Sequence, residues 1–246
     1  MNGLTERRQQ DKTNPDLLGQ ALQDYLSGAK NEELIVYSDL TDPDEIPVSH
    51  FFRSWDDMPE IERRAIRLCR GKTMDVGAAA GCHSLELQKI GMQVKAIDVS
   101  GGAVDVMKSR GVKHVERADF FTMKGKFDTL LLLMNGIGIC GSIGRLEDFF
   151  KQCKDLLNSG GQVLLDSSDI LYMYEDDDGS TAIDLTAGYY GEVEYRFGYK
   201  GRLGGSFKWL FVDFGLLSDV AEDHGFKCEL VAQGPHFDYL SRLTKK

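Results

Sequence analysis

Residues 74–82 read Met74-Asp-Val-Gly-Ala-Ala-Ala-Gly-Cys82, and this stretch decides the fold. A short strand ends at an acid, Asp75, and a turn built only of glycine and alanine then opens a helix. Small residues let a ligand approach the backbone of such a turn closely, and the first N–H groups of the helix are free to bind it. Ligands of open α/β sheets bind at the carboxyl ends of strands, so the stretch indicates a ligand-binding strand–turn–helix unit.

The chain around this turn alternates between apolar strands and amphipathic helices. Strands are predicted at 73–76, 93–99, 113–117, 127–134 and 162–166, and helices at 58–70, 82–90, 103–110 and 146–157. Ser159-Gly160-Gly161 is predicted as the exit turn of the last helix. A helix at 214–223 and an antiparallel hairpin of strands at 225–232 and 237–243 are expected to close one edge. The pattern predicts a doubly wound, mainly parallel seven-stranded α/β sheet.

Two regions lie outside this alternation. Residues 1–70 are expected to form an N-terminal helical cap or lid on the ligand-binding domain of 71–246. In this cap a helix begins at Asn14-Pro15, residues 34–37 form a strand or extended segment, and 41–47, with two prolines, form a loop. Residues 167–210 are interpreted as a substrate-side insertion. Within it, 191–199 alternates with period two, as an antiparallel strand does.

The composition excludes several classes of protein. The 246 residues are 42% hydrophobic and 28% charged, which is typical of a globular protein. The net charge of −10 disfavours nucleic acid as a partner. No apolar run approaches the length of a membrane span, and the N-terminus lacks the apolar segment of a signal peptide. Five scattered cysteines argue against disulfides or structural zinc. We therefore expect a cytoplasmic protein without nucleic-acid or membrane partners.

The turn distinguishes two classes of ligand. Dinucleotide enzymes carry G-x-G-x-x-G, which cradles a pyrophosphate, whereas Gly77 and Gly81 flank Ala79 in a G-x-A-x-G spacing. Asp75 would repel a pyrophosphate and suits a ligand with a positive group and no phosphate. Asp98 ends the next predicted strand, where it can accept hydrogen bonds from two ribose hydroxyls; the alternative is an N-cap for the helix after Ser100.

In combination these motifs resemble the class I S-adenosylmethionine (SAM)-dependent methyltransferases. The segment from Asp75 to Gly81 is similar to the family's motif I, acidic-x-Gly-x-Gly-x-Gly, and departs from it at Ala79. The resemblance runs from about residue 52 to the C-terminus and is strongest to a bacterial subfamily. It implies a Rossmann-like fold, SAM as cofactor with S-adenosylhomocysteine (SAH) as product, and in-line attack on the SAM methyl group.

The resemblance also implies the residues that bind the cofactor. These are Arg53, Asp75, Gly77, Ala78, Ala79, Gly81, His83, Asp98, Val99, Asp119, Phe120, Asn135 and Gly136. Asp119 would meet the adenine amino group with Phe120 against the ring, Asn135 would lie near the methionine end, and Arg53 would bind the carboxylate. The alternatives are a loop acid or Asx turn at Asp119, a plain strand-ending turn at Asn135, a packing histidine at His83 and a surface ion pair at Arg53.

The acceptor of the methyl group is less constrained by the sequence. The acidic charge and the absence of an N-P-P-Y type motif favour a small molecule over a protein side chain or a base. No catalytic base and no metal site are predicted, and the acidic run 175–178 is interpreted as a solvated loop. A SAM-binding sensor or partner subunit without catalysis, and a nucleotide-dependent oxidoreductase, are the alternatives. Several tyrosines of the insertion could line a substrate pocket, form a homodimer interface or cover the insertion's own core: Tyr172, Tyr174, Tyr189, Tyr190, Tyr195 and Tyr199.

Overall fold

The computed structural model describes residues 14–175 and 188–246. In chain order its elements are α1 (Leu17–Leu26), β1 (Glu33–Ser38), β2 (Asp44–Pro47), α2 (Glu60–Leu68), β3 (Thr73–Val76), α3 (Cys82–Lys89), β4 (Val94–Asp98), α4 (Gly101–Ser109), β5 (Val115–Arg117), β6 (Phe127–Leu132), α5 (Leu146–Leu156), β7 (Leu157–Ser168), β8 (Glu192–Tyr199), β9 (Arg202–Leu203), β10 (Phe207–Leu210), α6 (Phe214–Asp223), β11 (Phe226–Gln233) and β12 (Asp238–Lys245). Within the same ranges, none of the helices is both long and apolar enough to cross a membrane.

The main sheet has seven strands in the order β11-β12-β7-β6-β3-β4-β5. The five consecutive strands β7-β6-β3-β4-β5 are parallel to one another. The β11–β12 hairpin is antiparallel and pairs with β7 through β12. Leu130 and Leu132 of β6 pack on one face with α5, whereas Leu131 packs on the other face with α2. A strand covered on both faces must be apolar throughout. The predicted doubly wound fold with its antiparallel C-terminal edge is confirmed.

A second, antiparallel sheet lies outside the predicted topology. It has the order β10-β8-β1-β2, with β9 paired to β8. The N-terminal region is therefore not only helical, and the expected loop at 41–47 is wrong for Asp44–Pro47, which pairs with β1. Pro47 is tolerated there because β2 is an edge strand. The predicted strand at 191–199 is present as β8, in this sheet, so the cap and the insertion share one structural unit. The division of the chain at residue 70 stays a prediction.

Local hydrogen bonds account for the remaining differences in boundaries. The first helix begins at Leu17, because the Asp16 side chain caps it by accepting a bond from the amide of Gly19. The predicted exit turn at Ser159-Gly160-Gly161 is wrong, since β7 already begins at Leu157. These residues form an irregularity in the pairing with β6, in which Gly160 takes the left-handed conformation. The acidic residues 176–178 lie outside the described residues.

The first helix is fixed to the carboxyl edge of the main sheet. The Asp16 carboxylate accepts bonds from the Ser100 hydroxyl at 2.8 Å and the Gly102 amide at 3.0 Å, both at the start of α4. A Cβ atom at Gly102 would lie 2.6 Å from the backbone of Gly19, so only glycines allow this approach of α1 to α4. One carboxylate thus caps two helices and holds the N-terminal region beside the predicted ligand-binding loops.

Candidate functional site

The turn after β3 has an open, left-handed backbone. Gly77, Ala79 and Gly81 have φ angles of 67°, 47° and 79°. Nothing lies within 4 Å of a Cβ atom placed on Gly77, whereas one on Gly81 would come within 2.9 Å of Val112. The two glycines therefore serve different purposes. Gly77 leaves space in front of the turn, and Gly81 allows the turn to pack against the region after α4.

Asp98 links this turn to the loop after β4. Its carboxylate accepts a bond from the Ala79 amide at 2.9 Å and one from the Ser100 amide at 2.8 Å. The side chain is 6% exposed, and burial raises its pKa to about 6. Ser100 itself is the N-cap of α4, through a bond from the amide of Ala103. The predicted ribose acceptor is thus held rigidly at the edge by two backbone donors.

Asp75 and Ala78 lie beneath the surface of the turn. The Asp75 side chain is 1% exposed, accepts a bond from the Ser84 hydroxyl at 2.6 Å, and has its pKa raised by burial. Ala78 is buried in a cluster with Met107 and Val112. These two predicted residues support the turn from behind.

Arg53 and His83 are joined by a residue that the sequence did not single out, Glu62. One Glu62 oxygen accepts from the Arg53 guanidinium, and the other lies 2.7 Å from Nε2 of His83. All three are almost fully buried, and Nε of Arg53 has no partner within the described part of the chain. Burial alone would lower the pKa of His83, but the Cys82 sulfur and the carboxylates of Glu62 and Asp75 outweigh it and raise that pKa.

The buried cluster of Arg53, Glu62 and His83 keeps charged side chains behind the turn. Burial alone would raise the pKa of Glu62, but the hydrogen bond from His83 and the charge of Arg53 lower it overall. The available signal for Glu62 was its position on α2, next to the buried Ile61 and one turn from Ala65 and Ile66. An acid inside the apolar face of a helix is rarely buried without a partner.

The loop after β6 is held by Asp166. The Asp166 carboxylate accepts bonds from the amides of Met134 at 3.0 Å and Gly136 at 2.9 Å. Met134 and Asn135 both take left-handed φ angles, an unfavourable conformation that the two bonds stabilise. Asn135 donates to the Leu210 carbonyl at 3.0 Å, while its side-chain oxygen is buried and has no partner among the described residues. Burial raises the pKa of Asp166 to about 7.

The residues predicted to contact adenine, Val99, Asp119 and Phe120, differ in their exposure. Val99 follows β4 and is 65% exposed. Asp119 is exposed and accepts a bond from the Phe121 amide at 2.9 Å, so the Asx-turn alternative holds for one of its oxygens. The Phe120 ring is buried, and its centroid lies 5.6 Å from that of Phe149. Val99 therefore presents more free apolar surface than Phe120.

An aromatic roof, defined as the half-buried rings of Tyr195, Phe197, Phe207 and Trp209, covers the same edge. All four lie on the inner face of the second sheet, because Phe207 pairs with Tyr195 and side chains alternate along each strand. A Cβ atom on Gly138 would overlap the Trp209 ring, and Phe197 packs on the apolar cluster that includes Ala79. The roof therefore extends from the loop after β6 to the turn after β3.

The loops after β3, β4, β5 and β6 and the roof thus meet at one end of the parallel strands. Asp98, Asp119 and the Asn135 oxygen offer acceptors there, so this edge suits a ligand that brings hydroxyl and amino donors. Arg53 and His83 are bonded to Glu62 and lie behind the turn. A cleft also lies at the opposite end of β4 and β5, and its lining includes Lys95 and Lys113. It is far from the converging loops.

Comparison with known proteins gives similar solved structures. The SAM-dependent methyltransferase from Bacteroides fragilis, in complex with SAH, is 45% identical, has a TM-score of 0.88, and the match covers 94% of each chain. A SAM-dependent methyltransferase from Clostridium acetobutylicum ATCC 824 is 14% identical, with a TM-score of 0.59 over 77% of this chain and 93% of that one. CalS10, an amino pentose methyltransferase from Micromonospora echinaspora, is 15% identical, with a TM-score of 0.53 over 76% and 89%. The last two show a shared fold. No protein-family model and no curated protein matches the chain.

Proposed function

Since this chain belongs to the SAM-dependent methyltransferases, we propose that it transfers the SAM methyl group to a small molecule at the carboxyl edge of its main sheet. The class of the enzyme and its cofactor follow from the 45% identity over 94% of the chain. The choice of cofactor-binding residues and of a small-molecule acceptor is the part that we propose. The observation that carries it is the meeting of three acceptor-bearing loops beneath one aromatic roof.

The residues at this edge fit SAM. The space in front of Gly77 admits a ligand against the backbone. SAM carries hydroxyl, amino and ammonium donors and no phosphate, and the edge offers the carboxylates of Asp98 and Asp119 and the unpartnered oxygen of Asn135. The exposed Val99 gives an apolar surface for a planar base. A pyrophosphate would instead face the buried carboxylates of Asp75 and Asp98, which argues against a dinucleotide.

In this proposal each residue has a defined task. Asp98 accepts from the ribose hydroxyls, Asp119 accepts from the adenine amino group, and Val99 packs against the base. Asn135 and Gly136 lie at the methionine end, and the charge of Arg53 attracts the carboxylate.

SAM, when bound, supplies an electrophilic methyl group on a good leaving group. The chain therefore contributes mainly positioning and the exclusion of water. The Asp166 carboxylate fixes the Met134–Gly136 backbone, and the Asp98 carboxylate fixes the first turn. A base is required only for an acceptor that arrives protonated.

Calorimetric titration with SAM and SAH tests the cofactor site. Asp98→Ala should weaken binding by about 1.5–3 kcal/mol, the range for hydrogen bonds to a charged group. Asp105→Ala is the matched control, because it removes an exposed acid from α4 without touching the loops. Equal affinities of the two variants would refute the assignment of Asp98.

Transfer of an isotopically labelled methyl group tests the acceptor. Label appearing in small molecules of a cell extract passed through an ultrafiltration membrane supports the proposal. Label found only in protein after incubation with the full extract would refute the small-molecule acceptor, and binding without any transfer would favour a silent SAM-binding protein.

A further inference from the structure

Asp169 lies next to the loop that would hold the methyl donor, yet it has no task in cofactor binding. It follows β7, shortly after Asp166, whose carboxylate holds the Asn135 loop. Its Oδ1 atom accepts bonds from the Leu171 amide at 2.9 Å and the Tyr190 hydroxyl at 2.8 Å. Both of these bonds use the same oxygen, and among residues 14–175 and 188–246 the second oxygen has no hydrogen-bond donor.

Aromatic rings surround this carboxylate. The rings of Tyr189 and Tyr190 lie 4.6 Å apart, and Tyr174 donates its hydroxyl to the Tyr190 carbonyl at 2.8 Å. Burial and the bond to Asp169 raise the pKa of Tyr190, so its hydroxyl keeps its proton and remains a donor. Tyr172 lies on the same short helical segment as Tyr174, and Tyr189 and Tyr190 lie just before β8, which carries Tyr195 and Phe197 of the aromatic roof. The bond from Tyr190 therefore joins Asp169 to the start of this strand.

Near Tyr195 and Phe197 the charge on the inner face of the second sheet is negative. Asp44 shares this face with Phe197, because both pair with Val36. Burial, together with the nearby carboxylates of Asp39 and Asp44, raises the pKa of Tyr195 to about 12. The cations of β8 and β10 occupy the outer face.

On that outer face each cation has an acidic partner. Arg196 is paired with Glu194 at 4.0 Å, and Lys208 with Glu192 at 3.5 Å. Around Tyr195 and Phe197 the inner face therefore combines aromatic rings with carboxylates. Arg202 of β9 lies on the same face beside Tyr199, at the end of β8, and donates to the Gln20 side chain at 2.9 Å.

We propose that the acceptor is an organic amine, bound as its ammonium ion by Asp169 and the aromatic roof. This inference rests on the proposed methyl transfer. Carboxylates and aromatic faces both attract cations, by charge-assisted hydrogen bonds and by the ring quadrupole. A carboxylate acceptor would be repelled by Asp169, Asp39 and Asp44. A neutral alcohol would gain neither the ion pair nor the cation–π contact.

The transfer balances without an added reagent. A bound primary ammonium first gives up one proton, which the second oxygen of Asp169 can accept and pass to water. The nitrogen lone pair then forms a bond to the methyl carbon, while the carbon–sulfur bond breaks with its electron pair going to sulfur. The products are a methylated ammonium, SAH and one released proton.

Three probes of one shape test the inference: phenethylamine, 2-phenylethanol and phenylacetate, which are cationic, neutral and anionic at pH 7. The chain has two tryptophans, Trp55 and Trp209. Binding is therefore followed in the Trp55→Phe protein, whose tryptophan fluorescence comes from Trp209 in the roof alone. Trp55 lies against Arg67 on α2, away from this face. With SAH present, phenethylamine should bind at least about tenfold more tightly than either other probe, a preference that Asp169→Asn reduces to less than about threefold.

The controls separate this inference from the proposed function. Asp105→Asn, which removes an exposed acid elsewhere, should leave the preference unchanged, and both variants should bind SAH normally by calorimetry. Equal binding of the three probes, tighter binding of phenylacetate, or no saturable binding of phenethylamine would each overturn the amine assignment. Failure of the parent protein to bind SAH would instead refute the cofactor site on which it rests.

Discussion

The raised pKa of Asp98 leads to two predictions of opposite sign, one for the affinity for SAH and one for the stability of the unliganded protein. Together they test whether Asp98 faces the cofactor. Its pKa is raised to about 6 in the folded protein without ligand, and the ionised form is the better acceptor for ribose hydroxyls. Near pH 7 about nine-tenths of the carboxyl is ionised, and near pH 5 about one-tenth. The affinity for SAH should therefore fall by roughly tenfold, about 1.4 kcal/mol, between these values.

The stability of the unliganded protein should change in the other direction. A carboxyl with a folded pKa above its unfolded value of 3.8 favours the fold when protonated, so its contribution is lost as the pH rises from about 4 to about 6. A shift of about two units corresponds to roughly 3 kcal/mol. Urea unfolding should show this loss.

Asp98→Asn is the variant that isolates both effects. It cannot titrate, and its single amide oxygen can replace only one of the two acceptors used by the Ala79 and Ser100 amides, so the variant should be less stable at every pH. The pH slopes that depend on Asp98 should disappear, while any contribution of Asp166 remains. SAH calorimetry between pH 5 and pH 7 and urea unfolding between pH 4 and pH 7, on both proteins, provide the measurement. Identical pH profiles for the variant and the parent would refute the reasoning, whatever the absolute affinity.

Three further substitutions test the scaffold around the site by urea unfolding. Glu62→Ala should cost about 3–5 kcal/mol, because it leaves two buried cations without their shared partner. Asp16→Ala should cost about 1–2 kcal/mol through loss of the cap shared by α1 and α4. Gly138→Ala should cost about 1–3 kcal/mol and shift the emission of Trp209, since the new methyl group overlaps that ring.

Each of these has a matched control on the same element or nearby. Glu60→Ala removes an exposed acid from α2 and should cost less than Glu62→Ala. Asp105→Ala removes an exposed acid from α4 and should cost less than Asp16→Ala. Gly144→Ala places a methyl group at an ordinary 3.9 Å from the nearest atom, the Ser142 hydroxyl, and should be nearly neutral. A variant that proves no more damaging than its control would contradict the contact assigned to it.

The sequence predicted the parts of the fold that local patterns determine. The Gly77–Gly81 turn and Asp98 could be located because strand–helix alternation and small residues are visible over a few positions. The continuous apolar run of β6 showed that it is buried on both faces. These elements also bring the predicted cofactor residues of the first two loops together.

Features that depend on distant partners could not be predicted in this way. The segment Asp44–Pro47 has the composition of a loop and becomes a strand through its pairing in the second sheet. The position of Glu62 within the apolar face of α2 indicates that it is buried, but its partners Arg53 and His83 lie outside that helix and are not identified by the local pattern. The left-handed Met134 has no local cause, because the bonds that stabilise it come from Asp166 on another strand.

The second sheet also has a consequence for the order in which a nascent chain can acquire its structure. Its strands β1 and β2 lie near the start of the chain, whereas β8 and β10 follow α5 and β7. During synthesis the loops after β3, β4 and β6 leave the ribosome long before the later strands do. Pairs so far apart in sequence raise the contact order and form slowly. Until β8 arrives, one edge of β1 remains an unpaired template for association, so this step is where we expect newly made chains to need protection from aggregation.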